Sequence, residues 1–243
     1  MRKEIKAVVI KPDGYKKGKK FPVTYLLHGF SGNYSDWVKK VPAIQSLVDQ
    51  YKVIIVCPDG DYSSWYLDSP VDSTDKYETY IGKELISFVD SHYKTIKNPT
   101  GRAITGLSMG GHGALSLAIR HQDIFGAAGS MSGCVDLRPF KENWNIRDRI
   151  GTFAQNPANW EAFSVINMAS LIKPNTLALI FDCGTSDFFN GVNEDFHKKL
   201  MTLNIPHDYS SRPGGHTWEY WSNSIQYHML YFSNYFKAHA NMN

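Results

Sequence analysis

The run Val53-Ile54-Ile55-Val56 has no polar face. A strand that is apolar at every position has to be covered on both sides, as in a parallel sheet with helices packed on each face. Related β-rich runs fall at 5–10, 23–27, 103–107, 127–131, 177–182 and 207–211, beside 53–57 itself. Helical patterns lie between them at 74–93, 110–121, 194–203 and 218–236. In the first of these, Tyr77, Ile81, Leu85, Phe88 and Val89 follow the three-to-four-residue stripe of a half-buried helix. The alternation predicts an α/β fold: a three-layer sandwich around a mostly parallel central sheet, with residues 1–243 forming a single domain. The segment 135–174, rich in Asn, Trp, Arg and Pro and without a clean period, is expected as an insertion over the C-terminal edge of the sheet. There it either shapes a pocket or forms a plain surface loop.

Composition narrows the function by exclusion. A formal net charge of +3 with dispersed Lys and Arg carries no nucleic-acid signature. The one dense basic run, Lys16, Lys17, Lys19 and Lys20 around Gly18, reads as a solvated hairpin or loop. No stretch approaches the ~20 apolar residues of a membrane span. Cys57, Cys134 and Cys183 are far apart and odd in number, so they read as buried thiols and not as a disulfide framework or metal site. Residues 1–6 are charged and lack the apolar centre of a secretory leader. The expected compartment is therefore the cytoplasm, or outside it if a leader has been trimmed. Oligomeric state is left open.

The chemistry is concentrated at Gly106-Leu107-Ser108-Met109-Gly110. The bare G-x-S-x-G pattern arises by chance in roughly one chain of this length in ten. Here a strand precedes it and a small-residue helix follows, the setting of the nucleophile elbow in the α/β-hydrolase fold. Glycine at 106 and 110 removes side chains that would collide across so sharp a turn, while Gly111 and Gly113 permit close helix–sheet packing. The helix N-terminus directs free N–H groups toward developing negative charge.

A serine hydroxyl needs a base, and in this fold the chain order is Ser, acid, His. Beyond the elbow helix, His197, His207 and His228 fall in helix or strand patterns. His216, in Pro213-Gly214-Gly215-His216, sits in a loop after the last strand. For the acid, Asp182 ends a strand while Asp187 lies in the following loop, where it can hold the imidazole in the required tautomer. Asp187 is therefore preferred over Asp182, and both over Asp195 and Asp208. Leu26-Leu27-His28-Gly29-Phe30 ends an early strand, which makes the backbone N–H groups of Phe30 and Met109 the expected oxyanion donors. His28 and His112 read as structural histidines. Nothing in this chemistry requires a metal or organic cofactor.

Taken together, His28-Gly29-Phe30-Ser31-Gly32-Asn33, the segment 106–113, Cys183-Gly184-Thr185-Ser186-Asp187 and Gly214-Gly215-His216 resemble the esterase D-like family. That group includes tributyrin esterases, feruloyl and acetylxylan esterases of carbohydrate esterase family 1, S-formylglutathione hydrolases and mycolyltransferases. The resemblance spans about 5–236 and implies a serine carboxylesterase with Ser108, Asp187 and His216 as catalytic residues and Phe30 and Met109 at the oxyanion hole. It is nearest to the feruloyl and acetylxylan branch, implying a small-molecule or polysaccharide-linked ester as substrate; thioester hydrolysis, acyl transfer and, in a different class, carbohydrate binding without catalysis are the alternatives. It also draws in Trp65, within Ser64-Trp65-Tyr66, and Trp218 as residues that either line the acyl site or pack in the core.

Overall fold

A computed structural model describes Met1, residues 3–15 and residues 19–240. Lys16, Lys17 and Gly18 of the basic run lie outside the described residues. Among the described residues seven strands form one sheet: β1 (Ala7–Ile10), β2 (Val23–Leu27), β3 (Ile54–Pro58), β4 (Arg102–Gly106), β5 (Ala127–Met131), β6 (Ala178–Gly184) and β7 (Asp208–Arg212). Their spatial order is β1-β3-β2-β4-β5-β6-β7, with β1 antiparallel to β3 and every other neighbour pair parallel. The helices in chain order are α1 (Asp36–Lys40), α2 (Ile44–Tyr51), α3 (Tyr77–Thr79), α4 (Ile86–His92), α5 (Met109–Arg120), α6 (Ile146–Ile150), α7 (Pro157–Phe163), α8 (Val165–Met168), α9 (Asn190–Thr202) and α10 (Trp218–Ala238). The mostly parallel sheet between helical layers is what the alternating pattern predicts, and it is the α/β-hydrolase architecture expected from the elbow at Ser108.

Alternate residues of the inner strands enter two separate cores. Val23, Tyr25 and Leu27 of β2, Ile54 and Val56 of β3 and Ile104 of β4 face one; Leu26, Ile55, Cys57 and Ala103 face the other. The unbroken apolar runs thus have the period of two that a strand imposes, with both faces dry. The first core is closed by α5 and α9, through residues such as Leu115 and Phe196. The second is closed by α2 and α10. On α10 the stripe Trp221, Ile225, Met229, Phe232 and Phe236 is buried, each full burial of such a side chain contributing roughly 1.5–3 kcal/mol. The edge strand β7 is only partly buried, which is why Asp208-Tyr209-Ser210-Ser211-Arg212 is polar where the central strands are not.

The helix expected at 74–93 begins at Tyr77 and runs to His92, with a π-helical stretch, Tyr80–Leu85, between α3 and α4. Helix α2 was not anticipated, although Ile44, Leu47 and Val48 supply the buried stripe. The segment 135–174 leaves the C-terminal end of β5 and carries α6, α7 and α8 before β6 begins.

Candidate active site

Strand β4 lies between β2 and β5, so its C-terminal end opens at the middle of the sheet. Ser108 follows it after Leu107 alone, as the residue before α5, at φ +54° and ψ −118°, a conformation that L-residues rarely adopt. Its N–H is held by the Met131 carbonyl at 2.9 Å, and its carbonyl accepts the His112 N–H at 3.0 Å. A Cβ at Gly106 would come within 2.6 Å of the Gly110 carbonyl oxygen. One at Gly110 would come within 2.5 Å of the His28 oxygen. Both glycines are therefore demanded by backbone meeting backbone, and the strained serine conformation is over-determined by its surroundings.

The loops after β6 and β7 bring the other two residues to the same point. His216 Nε2 lies 2.9 Å from Ser108 Oγ, and His216 Nδ1 lies 2.8 Å from Asp187 Oδ2. A carboxylate can only accept, so Nδ1 carries the ring proton and Nε2 is left to accept from the serine hydroxyl. The other Asp187 oxygen accepts the Phe189 N–H at 2.9 Å, and the Asp187 side chain is fully buried. Both carboxylate oxygens are thus tied, which fixes the imidazole plane. A hydroxyl, an imidazole and a carboxylate in this chain can activate the oxygen as a nucleophile and store its proton.

Asp182 is elsewhere. It lies on β6 and binds His228 and Arg212. Asp195 makes an exposed ion pair with Lys198, and Asp208 stands at the start of β7. Of the remaining histidines, His197 and His207 bond to each other at 2.7 Å. His28 is saturated: its Nε2 accepts the Gly60 N–H at 2.7 Å and its Nδ1–H donates to the Gly29 carbonyl at 2.8 Å. Burial pushes its pKa down, so the ring is neutral and structural. His112 donates from Nε2 to the Phe163 carbonyl at 2.8 Å, and burial lowers its pKa to about 4.

Ser108 and His216 open into a cleft of about 490 Å³. Phe30, Asn33, Trp144, Phe188, Trp218 and Trp221 also line it. Phe30 carries one expected oxyanion N–H; Met109, bearer of the other, is the first residue of α5, where helix N–H groups lack intrahelical acceptors. Trp218 belongs to the cleft and meets Trp37 and Trp221 edge to face. Trp65 does not line the cleft; of the two places expected for it, acyl site or core, it takes the core. Its ring is buried edge-on to His112, and its Nε1–H donates to the Trp144 carbonyl at 3.0 Å. The left-handed backbone of Trp65, φ +55°, turns the indole inward.

Sequence reasoning missed Trp144, Phe188 and Trp221. Phe188 lies 4.3 Å from the His216 ring, centroid to centroid, and Trp221 meets that ring at 4.8 Å and 89°. Trp144 stacks on Phe188 at 5.5 Å and 19°. Adjacency to Asp187 was an available signal for Phe188; Trp144, inside the segment 135–174, had none of its own. Among the described residues no group of three or more His, Cys, Asp or Glu is arranged to hold a metal, and no helix is long and apolar enough to cross a membrane.

The family model "Putative esterase" matches residues 1–232. The chain is 30% identical over 237 residues to an esterase of Mycobacterium tuberculosis, a match covering 86% of this chain and 51% of that protein. It thus spans about half the length of that curated relative. It is 31% identical over 246 residues to a diacylglycerol acyltransferase/mycolyltransferase of Mycobacterium leprae, covering 86% of this chain and 73% of that one. Among solved structures, a ferulic acid esterase superposes with a TM-score of 0.80 at 26% identity, covering 94% of this chain and 92% of its own.

Proposed function

The chain belongs to the esterase family, and from that premise we propose that it hydrolyses carboxylic esters through an acyl-enzyme on Ser108. The hydrogen-bonded chain from Ser108 through His216 to Asp187, opening into an aromatic-lined cleft, is the observation that carries this reading. Ser108 Oγ attacks the acyl carbon while His216 Nε2 takes its proton, and Asp187 stabilises the imidazolium that forms. The backbone N–H groups of Phe30 and Met109 receive the oxyanion, each donor of this kind lowering the barrier by ~3 kcal/mol. His216 returns the proton to the departing alkoxide. Water, deprotonated by the same imidazole, then attacks the acyl carbon, and the imidazolium returns that proton to Ser108 Oγ as the acyl–oxygen bond breaks and the acid leaves.

For the substrate we propose a feruloyl or acetyl ester of a plant polysaccharide. The likeness to a ferulic acid esterase supports this, as do the tryptophans of the cleft, whose flat faces suit sugar rings or a phenolic acyl group. The segment 135–174 takes part through Trp144, as an insertion within a single hydrolase domain. Acyl transfer is the second reading, supported by the similarity to the Mycobacterium leprae acyltransferase. It differs only in whether an alcohol or water accepts the acyl group.

The test compares wild type with Ser108→Ala on methyl ferulate, acetylated xylan oligomers, p-nitrophenyl acetate and S-formylglutathione. Turnover of the plant-type esters, abolished in the variant, is expected. Preference for the thioester would overturn the substrate assignment, and ester products exceeding free acid when an alcohol is supplied would select transfer. An active Ser108→Ala protein would overturn the mechanism.

A further inference from the structure

Beneath the three reactive residues runs a second polar chain that the chemistry does not use. Thr105 on β4 shares a hydrogen bond of 2.8 Å with His228 Nδ1, and the opposite ring nitrogen of His228 lies 2.8 Å from Asp182 Oδ2 on β6. Asp182 Oδ1 is 3.1 Å from the guanidinium of Arg212, the last residue of β7. Ser224 of α10 donates to Asp182 Oδ2 and accepts from Arg212 Nη2 at 3.0 Å. Arg212 Nη1 donates to Ser210 at 2.5 Å, and the guanidinium lies over the rings of Tyr220 and Tyr227 on α10. Thr105, Asp182, Ser224 and His228 are all buried.

The placement of this chain is specific. Thr105 stands three residues before Ser108, Asp182 five before Asp187 and Arg212 four before His216. Each segment that delivers a reactive residue is therefore gripped just below it. To join β4 to β6 the chain must cross β5, and it does so at Gly129, where a Cβ would come within 2.5 Å of His228 Nδ1 and 2.8 Å of Thr105 Oγ1. Above the crossing the two later loops are stitched together: the Arg212 carbonyl accepts the Thr185 N–H at 2.8 Å and the Gly214 carbonyl accepts the Ser186 N–H at 2.9 Å. Among the described residues Arg212 Nε has no hydrogen-bond partner and Asp182 Oδ1 meets Arg212 as an ion pair, while Thr105, His228, Ser224 and Asp182 Oδ2 are joined by hydrogen bonds. In a low-dielectric interior such bonds are strong and costly to break, which favours one arrangement of the chain.

We propose that Thr105, His228, Asp182 and Arg212 are positioning residues, a buried brace that sets Ser108, His216 and Asp187 in register with one another. The inference rests on the proposed roles of those three. None of the four brace residues lines the cleft, so the brace acts on the rate of the acyl chemistry and not on substrate affinity. Hydrogen-bond distances near 2.9 Å tolerate little drift: displacement of a reactive group by ~1 Å costs up to about a hundredfold.

The experiment uses Thr105→Val, which keeps the shape and removes the hydroxyl, and Arg212→Lys, which keeps the charge but not the forked reach. On p-nitrophenyl acetate, kcat is expected to fall by about tenfold to a hundredfold in each folded variant with KM changed by less than about twofold. The second-order rate of Ser108 labelling by a fluorophosphonate should fall in parallel, because that reaction also needs the serine hydroxyl activated by His216 but does not need water to release a product. Thr105→Ser, which restores the hydroxyl, should recover both rates. Folded Thr105→Val and Arg212→Lys proteins with wild-type kcat and labelling rates, and only a lower Tm, would overturn the proposal; so would Thr105→Ser failing to recover the rates while it folds normally. Should Thr105→Val not fold, Arg212→Lys and Thr105→Ser decide by the same readouts. An active Ser108→Ala protein would instead remove the reading on which the brace depends.

Discussion

Replacing Asp187 by asparagine tests the tautomer argument at a single atom. The Phe189 N–H points at Asp187 Oδ1 from 2.9 Å and demands an acceptor there. In Asp187→Asn the carbonyl oxygen must take that place, which turns the NH2 toward His216 Nδ1, 2.8 Å away in the wild type. Two donors cannot share that hydrogen bond, so the imidazole proton moves to Nε2. Nε2 then presents N–H to Ser108 Oγ, 2.9 Å away, and no base remains for the hydroxyl. The same exchange in a serine protease, a worked case for this constellation, lowers kcat by about 10⁴. At 1.36 kcal/mol per factor of ten, a loss of about 10³–10⁴ here is about 4–5.5 kcal/mol of transition-state stabilisation. KM should stay within about threefold, since the buried carboxyl lies outside the cleft. Steady-state kinetics on p-nitrophenyl acetate, with circular dichroism to verify the fold, supplies the measurement. A folded variant within tenfold of wild-type kcat would refute the assignment of Asp187 and the tautomer reasoning with it.

Other expectations follow from the same geometry. Gly110→Ala drives a methyl into the His28 and Leu27 carbonyls, 2.5 and 2.7 Å from the new Cβ, and should cost about 1–3 kcal/mol in urea unfolding besides most of the activity; an unchanged midpoint would contradict the crowded elbow. Trp144→Ala removes the ring stacked on Phe188 and should raise KM for methyl ferulate about tenfold, from about 1.5 kcal/mol of lost stacking, with p-nitrophenyl acetate little affected; equal losses on both substrates would speak against aromatic recognition there. His112, held by burial to a pKa of about 4, binds its proton more readily in the unfolded chain, at an ordinary value of ~6.5. Its contribution is thus complete above pH ~6.5 and is lost as pH falls toward 4, on the order of 3 kcal/mol in all. His112→Gln, which retains a donor for the Phe163 carbonyl, should flatten stability against pH across that window, whereas an unaltered slope would show that His112 is not buried neutral.

Much of the site could be read along the chain because its parts are locally encoded. The elbow needs glycine at 106 and 110 whatever surrounds it, since the obstruction is the backbone of neighbouring segments in any strand–turn–helix of this sharpness. His216 stood out because His197, His207 and His228 fall in periodic segments, and a residue committed to a helix or strand face is not free to reach over the sheet. The choice between Asp182 and Asp187 rested on the same reasoning: a strand residue is directed into a layer, a loop residue over the edge. Where that reasoning stopped short was Trp65, which the family resemblance left between the acyl site and the core. The left-handed φ of Trp65 and Tyr66, at +55° and +56°, accompanies both rings into the core, and no side-chain pattern announces such a turn.

Chemistry and period, then, were properties of the sequence by itself: a both-faces-covered sheet, a strained serine between glycines, a loop histidine and a loop carboxylate in the fold's chain order. The tertiary structure alone decided what meets across long separations. Trp144 reaches Phe188 from 44 positions away, and Thr105 reaches His228 from 123. It also decided that β3 lies outside β2, which makes β2 the neighbour of β4 and brings Phe30, just after β2, into the same cleft as Ser108. The physical reason is that local propensities act over one turn of helix or two residues of strand, whereas such pairings are chosen by the packing of whole layers, to which every residue of the sheet contributes and which no short window contains.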